Sequence, residues 1–432
     1  MTAPAPAPAP SPERPLAAYA AVTAAYWLFM LTDGALRMLV LLHFHVLGFS
    51  PIQLAYLFVL YEIAGMVTNL TAGWIAARFG LTSTLYAGLI LQIGALGALS
   101  QVDPGWAVSL SVVFVMAVQG VSGVAKDLAK MSSKSAVKLL APGDQEGALF
   151  RWVALLTGSK NAVKGFGFLL GASLLGLVGF QGAVLGMAAV LAVALILIAA
   201  LMPAGLPRGR KGAKFSEVFS KDRNINRLSA ARMFLFGARD VWFVVGIPIY
   251  FHAVLSDGTE EGARAAFFQV GTFMAVWIIA YGAVQAAAPR LLRARGRPTA
   301  AIVGMGRFWT GLLTLIPAAL ALAAASTGGA PADWLTATLI AGLLAFGAAF
   351  ALDSSLHSYL ILAFAKAERV TMDVGFYYMS NAAGRLLGTV LSGLSYQLGG
   401  LAACLGTAAA MVALSWVCML WLGKGEAAEA AS

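Results

Sequence analysis

Runs of about 20 predominantly apolar residues recur along almost the whole chain, and that is the length a helix needs to cross the hydrocarbon core of a bilayer. Twelve such runs are predicted, over residues 17–46, 51–77, 81–100, 106–133, 148–178, 181–203, 228–254, 265–289, 299–325, 333–362, 373–398 and 401–422. With 60% apolar and only 11% charged residues among 432, the composition lies far outside that of a water-soluble globular domain. A soluble enzyme is therefore excluded, and an all-α membrane protein with 12 transmembrane helices is expected. Residues 1–15, MTAPAPAPAPSPERP, are a Pro-Ala tract with nothing to bury and read as a disordered cytosolic tail. The apolar run that follows is too long for a secretory signal and has no small-residue cleavage site. Cys404 and Cys418 both fall in the last run, which leaves no disulfide framework, iron–sulfur site or multi-thiolate metal site.

The placement of basic residues decides what a net charge of +10 means. Cytosolic loops accumulate Lys and Arg. With the N-terminus inside, 21 of the 29 basic residues fall on the cytosolic side, one (Arg264) on the opposite side, and seven within spans. The basic excess is thus mostly topology, not nucleic-acid binding, and both termini are expected in the cytosol. The one long hydrophilic connection, from Pro203 to Arg227, follows the sixth span and divides the chain equally. The expected organisation is a six-helix bundle over 16–203, a basic cytosolic linker over 204–227, a second bundle over 228–423 and a cytosolic tail over 424–432.

A weak internal repeat supports this division. A shift of 207 positions lays Phe29 on Phe236, Asp33 on Asp240 and Phe44-His45 on Phe251-His252, and a shift of 220 lays Asn161-Ala162 on Asn381-Ala382. Two six-span halves related by duplication resemble the major facilitator superfamily, whose substrate site lies between the halves near mid-membrane. In that superfamily the loop after span two carries a Gly-x-x-x-Asp-Arg-x-Gly pattern followed by two basic residues. Here Gly73, Arg78 and Gly80 fit, but Ala77 replaces the acid and Leu81-Thr82 the bases, so a charge-relay gate at this loop is incomplete.

A charge at the bilayer centre costs about 2.5–3.5 kcal/mol on insertion scales, so each one needs a partner, a watery cavity or a ligand. Span five presents Lys160, Asn161 and Lys164, with the lysines at i and i+4 on one helical face, where like charges repel and an intervening anion would relieve both. Span one adds Asp33 and Arg37, span two Glu62, span seven Arg239 and Asp240, span ten Asp353 and His357, and span eleven Asn381 and Arg385. Two readings stand. The charges pair with one another and lock helices together, or Lys160, Lys164, Arg37, Arg239 and Arg385, with Asn161 and Asn381, bind an anion between the halves. Arginine suits bidentate recognition of an oxyanion, and lysine serves as a point charge beside it. Lys126 and Lys130, at the cytosolic end of span four, are either a solvated helix end or an electropositive mouth. Asp33, Asp240, Glu62 and Asp353 are candidate proton-coupling or salt-bridge switches. His43, His45 and His252 read as interfacial or capping residues, since no metal spacing exists. The absence of a Gly-rich phosphate loop ending in Lys-Ser/Thr removes direct ATP drive, and no cofactor is implied. The Gly-rich stretches around Gly165–Gly171 and Gly384–Gly393 read as close helix-packing faces.

Four longer strings, LTDGALRMLVLLHFH from Leu31, GVAKDLAKMSSKSAVKLL from Gly123, LFRWVALLTGSKNAVKGFGFLLG from Leu149 and LFGARDVWFVVG from Leu235, resemble the organoarsenical-efflux permeases called ArsJ over nearly all the chain except its tails. The resemblance implies export of 1-arseno-3-phosphoglycerate from a bacterial cytosol across the inner membrane by alternating access, in arsenate resistance. It also implies a glyceraldehyde-3-phosphate dehydrogenase as the functional partner that makes the substrate; a monomer in the lipid bilayer is expected. A cargo with an arsenate and a phosphate group carries three to four negative charges and suits the basic set above, whereas thiolate recognition of trivalent arsenic would need grouped cysteines. Rival readings are an organophosphate or phosphate antiporter of the same fold, a membrane-embedded enzyme acting on phosphorylated lipids, and a sensor.

Overall fold

The computed structural model describes residues 13–79, 81–140, 146–201, 220, 222–293, 297–328, 332–365 and 370–423. These residues are helical almost throughout, because in hydrocarbon every backbone polar group must be satisfied within its own segment. The helices are α1 (Glu13–Val46), α2 (Pro51–Tyr56), α3 (Val59–Phe79), α4 (Leu81–Leu99), α5 (Val108–Leu140), α6 (Glu146–Leu201), α7 (Arg223–Val241), α8 (Ile247–Leu255), α9 (Glu260–Leu291), α10 (Thr299–Ser326), α11 (Asp333–Phe364) and α12 (Val370–Leu420). They supply ten stretches long and apolar enough to cross a membrane, where twelve runs were expected. The difference lies in α6 and α12, which have 56 and 51 residues. Each joins two of the expected runs through a break in helical geometry. In α6 the break is Gly179, at φ 70° and ψ −179°, and in α12 it is Gly399 followed by Gly400 at φ 61°, conformations that a Cβ disfavours. A straight 56-residue helix would be about 84 Å long, far beyond a hydrocarbon core of about 30 Å.

Local sequence sets several boundaries. Ser50 and Gln53 form a reciprocal capping box at the start of α2, and the Asp222 carboxylate accepts from the Asn224 and Ile225 N–H groups to start α7. The helix therefore begins inside the stretch read as linker, whose residues 202–219 and 221 lie outside the described residues, as do residues 1–12 and 424–432 of the tails. Between α7 and α8 the chain makes one wide π turn over Trp242–Gly246. Pro248 has no N–H and its ring crowds the carbonyl four residues back. The wide turn accommodates it, and Ser392 Oγ accepts from the Val245 and Gly246 N–H groups at 3.1 and 3.3 Å.

Two seams of small residues organise the bundle. Gly167 and Gly171 of α6 lie against Leu31, Gly34 and Ala35 of α1, and Gly384 and Gly388 of α12 lie against Met233 and Gly237 of α7; any Cβ at these positions would strike the facing backbone. Gly165 of α6 meets Ala275 of α9 in the same way, and Gly393 of α12 meets Pro51 of α2. These glycines act as close packing faces. The stretch from α7 to α8 is 89% buried along its most apolar part, against 28% for α10. Outward-facing leucines such as Leu177, Leu315, Leu322 and Leu398 stay exposed, as expected of a surface solvated by lipid tails.

Candidate functional site

The seams bring charged residues from five helices into one network. Arg37 of α1 reaches Glu62 of α3 at 3.1 Å, and Arg385 of α12 meets the same carboxylate at 2.7 Å to Oε1 and 2.5 Å to Oε2. Arg385 Nε also lies 3.7 Å from Asp240 Oδ2. Asp240 Oδ1 in turn accepts from its neighbour Arg239, at 2.7 Å from Nε and 2.5 Å from the terminal nitrogen. Glu62 and Asp240 thus each serve two guanidiniums, and the Glu62–Arg385 contact joins residues 323 positions apart. The second aspartate is held more loosely: the Tyr61 hydroxyl donates to Asp33 Oδ1 at 2.6 Å, while Lys164 Nζ stands 3.7 Å from Oδ2.

Aromatic faces complete the surroundings of the cations. Arg37 lies over Phe58 and Tyr61, at 5.2 and 5.7 Å from the ring centroids, and Arg239 over Phe236 at 5.0 Å. Lys126 of α5 stands 4.0 Å from the centroid of Tyr61. Tyr61 therefore links Asp33, Arg37 and Lys126. Sequence reading passed it over; its only signal there was a hydroxyl-bearing ring placed directly before an intramembrane acid.

Exposure divides the network by sign. The side chains of Glu62, Asp240 and Asp33 are 1–3% exposed, whereas those of Arg37, Arg239, Lys164 and Arg385 are 13–20% exposed. The carboxylates sit behind and the cations present the accessible edge. Among the described residues of this region the cations Arg37, Lys126, Lys130, Lys164, Arg239 and Arg385 face the carboxylates Asp33, Glu62, Asp127 and Asp240, an excess of two positive charges.

Several expected positions need correction. Of the two readings of the intramembrane charges, pairing describes Arg37, Lys164, Arg239 and Arg385 in this conformation: each has a carboxylate within 4.0 Å. Lys126 and Lys130 do not form a solvated mouth in this conformation. Lys126 turns inward onto Tyr61, where it is buried. Lys130 bonds Asn69 at 3.0 Å and Asp127 at 3.5 Å, and Asp127 is also held by the Thr68 hydroxyl. Asn161 donates to Gln285 of α9 at 3.3 Å, and Asn381 lies one turn before Arg385 with its buried Oδ1 unbonded among the described residues. Among the described residues Asp353 does not join the network; its contacts there are Thr310 of α10 and His357. The Lys160 side chain lies outside the described residues, as do the Arg78 side chain and Gly80; Gly73 and Arg78 belong to the last two turns of α3. His43 stacks on Phe180, and His45 meets His252 edge-on at 5.2 Å.

A bundle of apolar helices that holds a polar, partly open, cation-rich cluster has the build of a membrane transport protein. The chain belongs to the Major Facilitator Superfamily, whose family model matches residues 22–356. Among solved structures it is similar to the nucleoside transporter NupG in a D323A mutant, with TM-score 0.71, 17% identity, and coverage of 94% of this chain and 100% of that one. It is similar also to an inward-facing bacterial homologue of the iron transporter ferroportin, with TM-score 0.69, 14% identity, and coverage of 95% and 99%. A POT family transporter in complex with a thioalcohol-conjugated peptide gives TM-score 0.73, 14% identity, and coverage of 93% and 95%. At these identities the likeness concerns the fold. No curated protein matches the sequence. The protein is a multi-pass secondary transporter that works by alternating access, and it is not an enzyme.

Proposed function

We propose that the protein exports a small organic polyanion from the cytosol, and that this cargo is 1-arseno-3-phosphoglycerate. The observation that carries the reading is the division by sign: the accessible edge of the buried network is made of Arg37, Lys164, Arg239 and Arg385, and the acids lie behind it. An approaching anion meets cations first. Lys126, which has no carboxylate within 4.0 Å among the described residues, adds positive charge that an anion can offset. The resemblance of four long strings to organoarsenical-efflux permeases selects the arseno-phosphoglycerate among polyanions. It also supports supply by a glyceraldehyde-3-phosphate dehydrogenase.

Glu62 and Asp240 are shared between pairs of guanidiniums, so an oxyanion that takes one guanidinium leaves each acid still paired. Exchange of partners is therefore cheaper than breaking a private ion pair, whose buried charge would be left uncompensated. In this scheme Lys126 and Lys164 receive the anion, Asn161 and Asn381 add hydrogen bonds, and Arg385 passes between Glu62 and the cargo as the two sides of the protein move. Reading each broken helix as two spans gives twelve, with both termini in the cytosol of a bacterial inner membrane and with residues 16–203 and 228–423 as the moving halves of a monomer.

Everted vesicles test the assignment. They are supplied outside with arsenate, glyceraldehyde-3-phosphate, NAD and the dehydrogenase, and uptake of arsenic is measured for wild type, Lys126→Ala, Lys164→Ala and Arg385→Ala. Loss of uptake in the variants with normal membrane insertion is the expected result, and normal uptake in all three overturns the anion site. The second reading, an organophosphate or phosphate antiporter, is favoured by the same cation edge, which has no group selective for arsenic. Exchange of 3-phosphoglycerate or phosphate without arsenate would identify it.

A further inference from the structure

Away from the ion-pair network, two histidines related by the 207-position shift meet across the protein: His45 in the last turn of α1 and His252 in the last turn of α8. Their ring centroids lie 5.2 Å apart, with the planes at 85°, edge to face. The His252 ring stacks on Phe267 of α9 at 5.1 Å, and its Nε2 has no hydrogen-bond partner among the described residues. His43 is not part of this pair; it stacks on Phe180 of α6, since residues two apart on a helix face apart. The pair lies where the helices leave the membrane. His45 is half-buried and runs into the exposed turn Val46–Gly48, and His252 keeps 9% exposure and precedes exposed Ala253. The loop that follows carries exposed Asp257, Glu260 and Glu261, with Arg264 paired to Glu260, so it draws cations toward this end.

The same end is fastened by two further contacts. The Ile52 N–H of α2 donates to Gln397 Oε1 of α12 at 3.3 Å, and Gly393 of α12 packs on Pro51. In this conformation the end is therefore closed, and the two imidazoles are part of the closure. Their spacing also has a chemical meaning. Two imidazoles bound to one tetrahedral ion of the zinc class, each through a nitrogen about 2.0–2.1 Å from the metal, have centroids about 5.2 Å apart, which is the distance observed. The rings now meet edge to face, so one must turn about its Cβ–Cγ bond, a soft torsion in histidine; the less enclosed His45 is the one to do so. No third histidine, cysteine or carboxylate joins them among the described residues. Water thus fills the other positions, and the ion exchanges, unlike one in a closed four-ligand structural site.

We propose that His45 and His252 form a binding site for a divalent ion of the zinc class, and that the bound ion ties α1 to α8 and holds this end of the transporter shut. Imidazole nitrogen suits zinc, copper and nickel ions, whereas magnesium and calcium take oxygen ligands. Alternating access requires this end to part, which draws the two rings out of reach of a shared ion. The ion therefore binds the closed conformation better and shifts the population toward it. At an ion concentration about ten times its dissociation constant, the closed conformation gains about tenfold over the open one, and turnover slows accordingly. With the N-terminus of α1 in the cytosol, as proposed above, the ion acts from outside. The site does not depend on which anion is carried.

The test uses the full-length protein. Co2+ is titrated in detergent as the probe, because four-coordinate cobalt absorbs visible light far more strongly than the hexaaquo ion, and Zn2+ is titrated while the unfolding temperature is followed. Wild type is expected to show the cobalt band and a zinc-dependent rise in unfolding temperature, and Mg2+ to give neither. His45→Asn and His252→Asn are each expected to weaken both responses about tenfold or more, since even outer-shell partners of metal ligands are worth about 10–100-fold. His43→Asn should leave them unchanged, and His45→Cys should keep the ion and add a sulfur-to-cobalt band. The lock is read in liposomes from spin labels on Leu47→Cys and Ala253→Cys, in a background without Cys404 and Cys418: Zn2+ is expected to collapse the distances to the short population and to slow anion flux. A wild-type protein without the cobalt band overturns the site, as does a zinc response of equal size in both asparagine variants. Unchanged label distances at saturating Zn2+ overturn the lock. If no anion is carried, the anion reading fails, and the cobalt and spin-label arms still decide this one.

Discussion

Asp33 in α1 and Asp240 in α7 occupy corresponding places in the sequence repeat, yet they are held differently. Asp33 has a short bond from Tyr61 and a lysine at 3.7 Å; Asp240 has two short contacts from Arg239 and a further guanidinium nitrogen at 3.7 Å. A lysine at 3.7 Å is a point charge that can turn toward another anion without stranding the acid, because Tyr61 still bonds it. The guanidinium of Arg239, fixed by two contacts to one oxygen and by the Phe236 face, is a structural fastening. One repeat thus keeps a loosely held cation and the other a tightly held one, and Glu62, shared by Arg37 and Arg385, joins the two repeats.

The widest break in this comparison is expected from Glu62→Gln, which removes the negative charge between Arg37 and Arg385. It should lower stability by about 3–5 kcal/mol, as for removal of one member of a buried pair, seen as a fall in the unfolding temperature in detergent and a near-complete loss of transport. Next, Arg239→Ala and Lys164→Ala should part company. The first is expected to cost about 3 kcal/mol of stability, whereas the second should leave stability within about 1 kcal/mol and raise KM for the anion roughly tenfold, the cost of one charged contact. Equal stability losses in the two variants would show that Asp33 and Asp240 are held alike. Gly171→Val and Gly388→Val probe the α1–α6 and α7–α12 seams. Each is expected to cost about 1–3 kcal/mol through overpacking against backbone, measured by thermal unfolding. The smallest effect is expected from Tyr61→Phe, about 1 kcal/mol for the lost hydroxyl bond, with Lys164 drawn closer to Asp33 and a correspondingly weaker affinity for the anion.

Much of the charged network was visible as residues and little of it as contacts. Asp33, Arg37, Glu62, Lys164, Arg239, Asp240 and Arg385 stand out because charge is rare and costly in apolar runs. Their partners do not, because Glu62 and Arg385 come from opposite ends of the chain and meet only after the glycine seams have closed. Lys126 was misplaced for a related reason: spacing along α5 shows which residues share a face but not which neighbour that face meets. Asp353 read as one more acid in the same set, and what separates it is that no Lys or Arg nitrogen lies within 4.0 Å of it among the described residues, His357 at 3.7 Å being its basic neighbour. The π turn before Pro248 and the joined helices α6 and α12 were also hidden, since Gly179 and Gly400 look in sequence like the many glycines that merely allow close packing.

Length and spacing of apolar runs were enough to determine that this chain lies in a membrane as a helical bundle, because a lipid interior permits no unsatisfied backbone and few unpaired charges. Tertiary structure decided which cation shares which carboxylate, that the acids lie behind the bases, and that one aspartate and one histidine stand apart. Those outcomes depend on side-chain distances of a few ångströms between helices far apart in the chain, and electrostatic pairing in a medium of low dielectric varies steeply over that range.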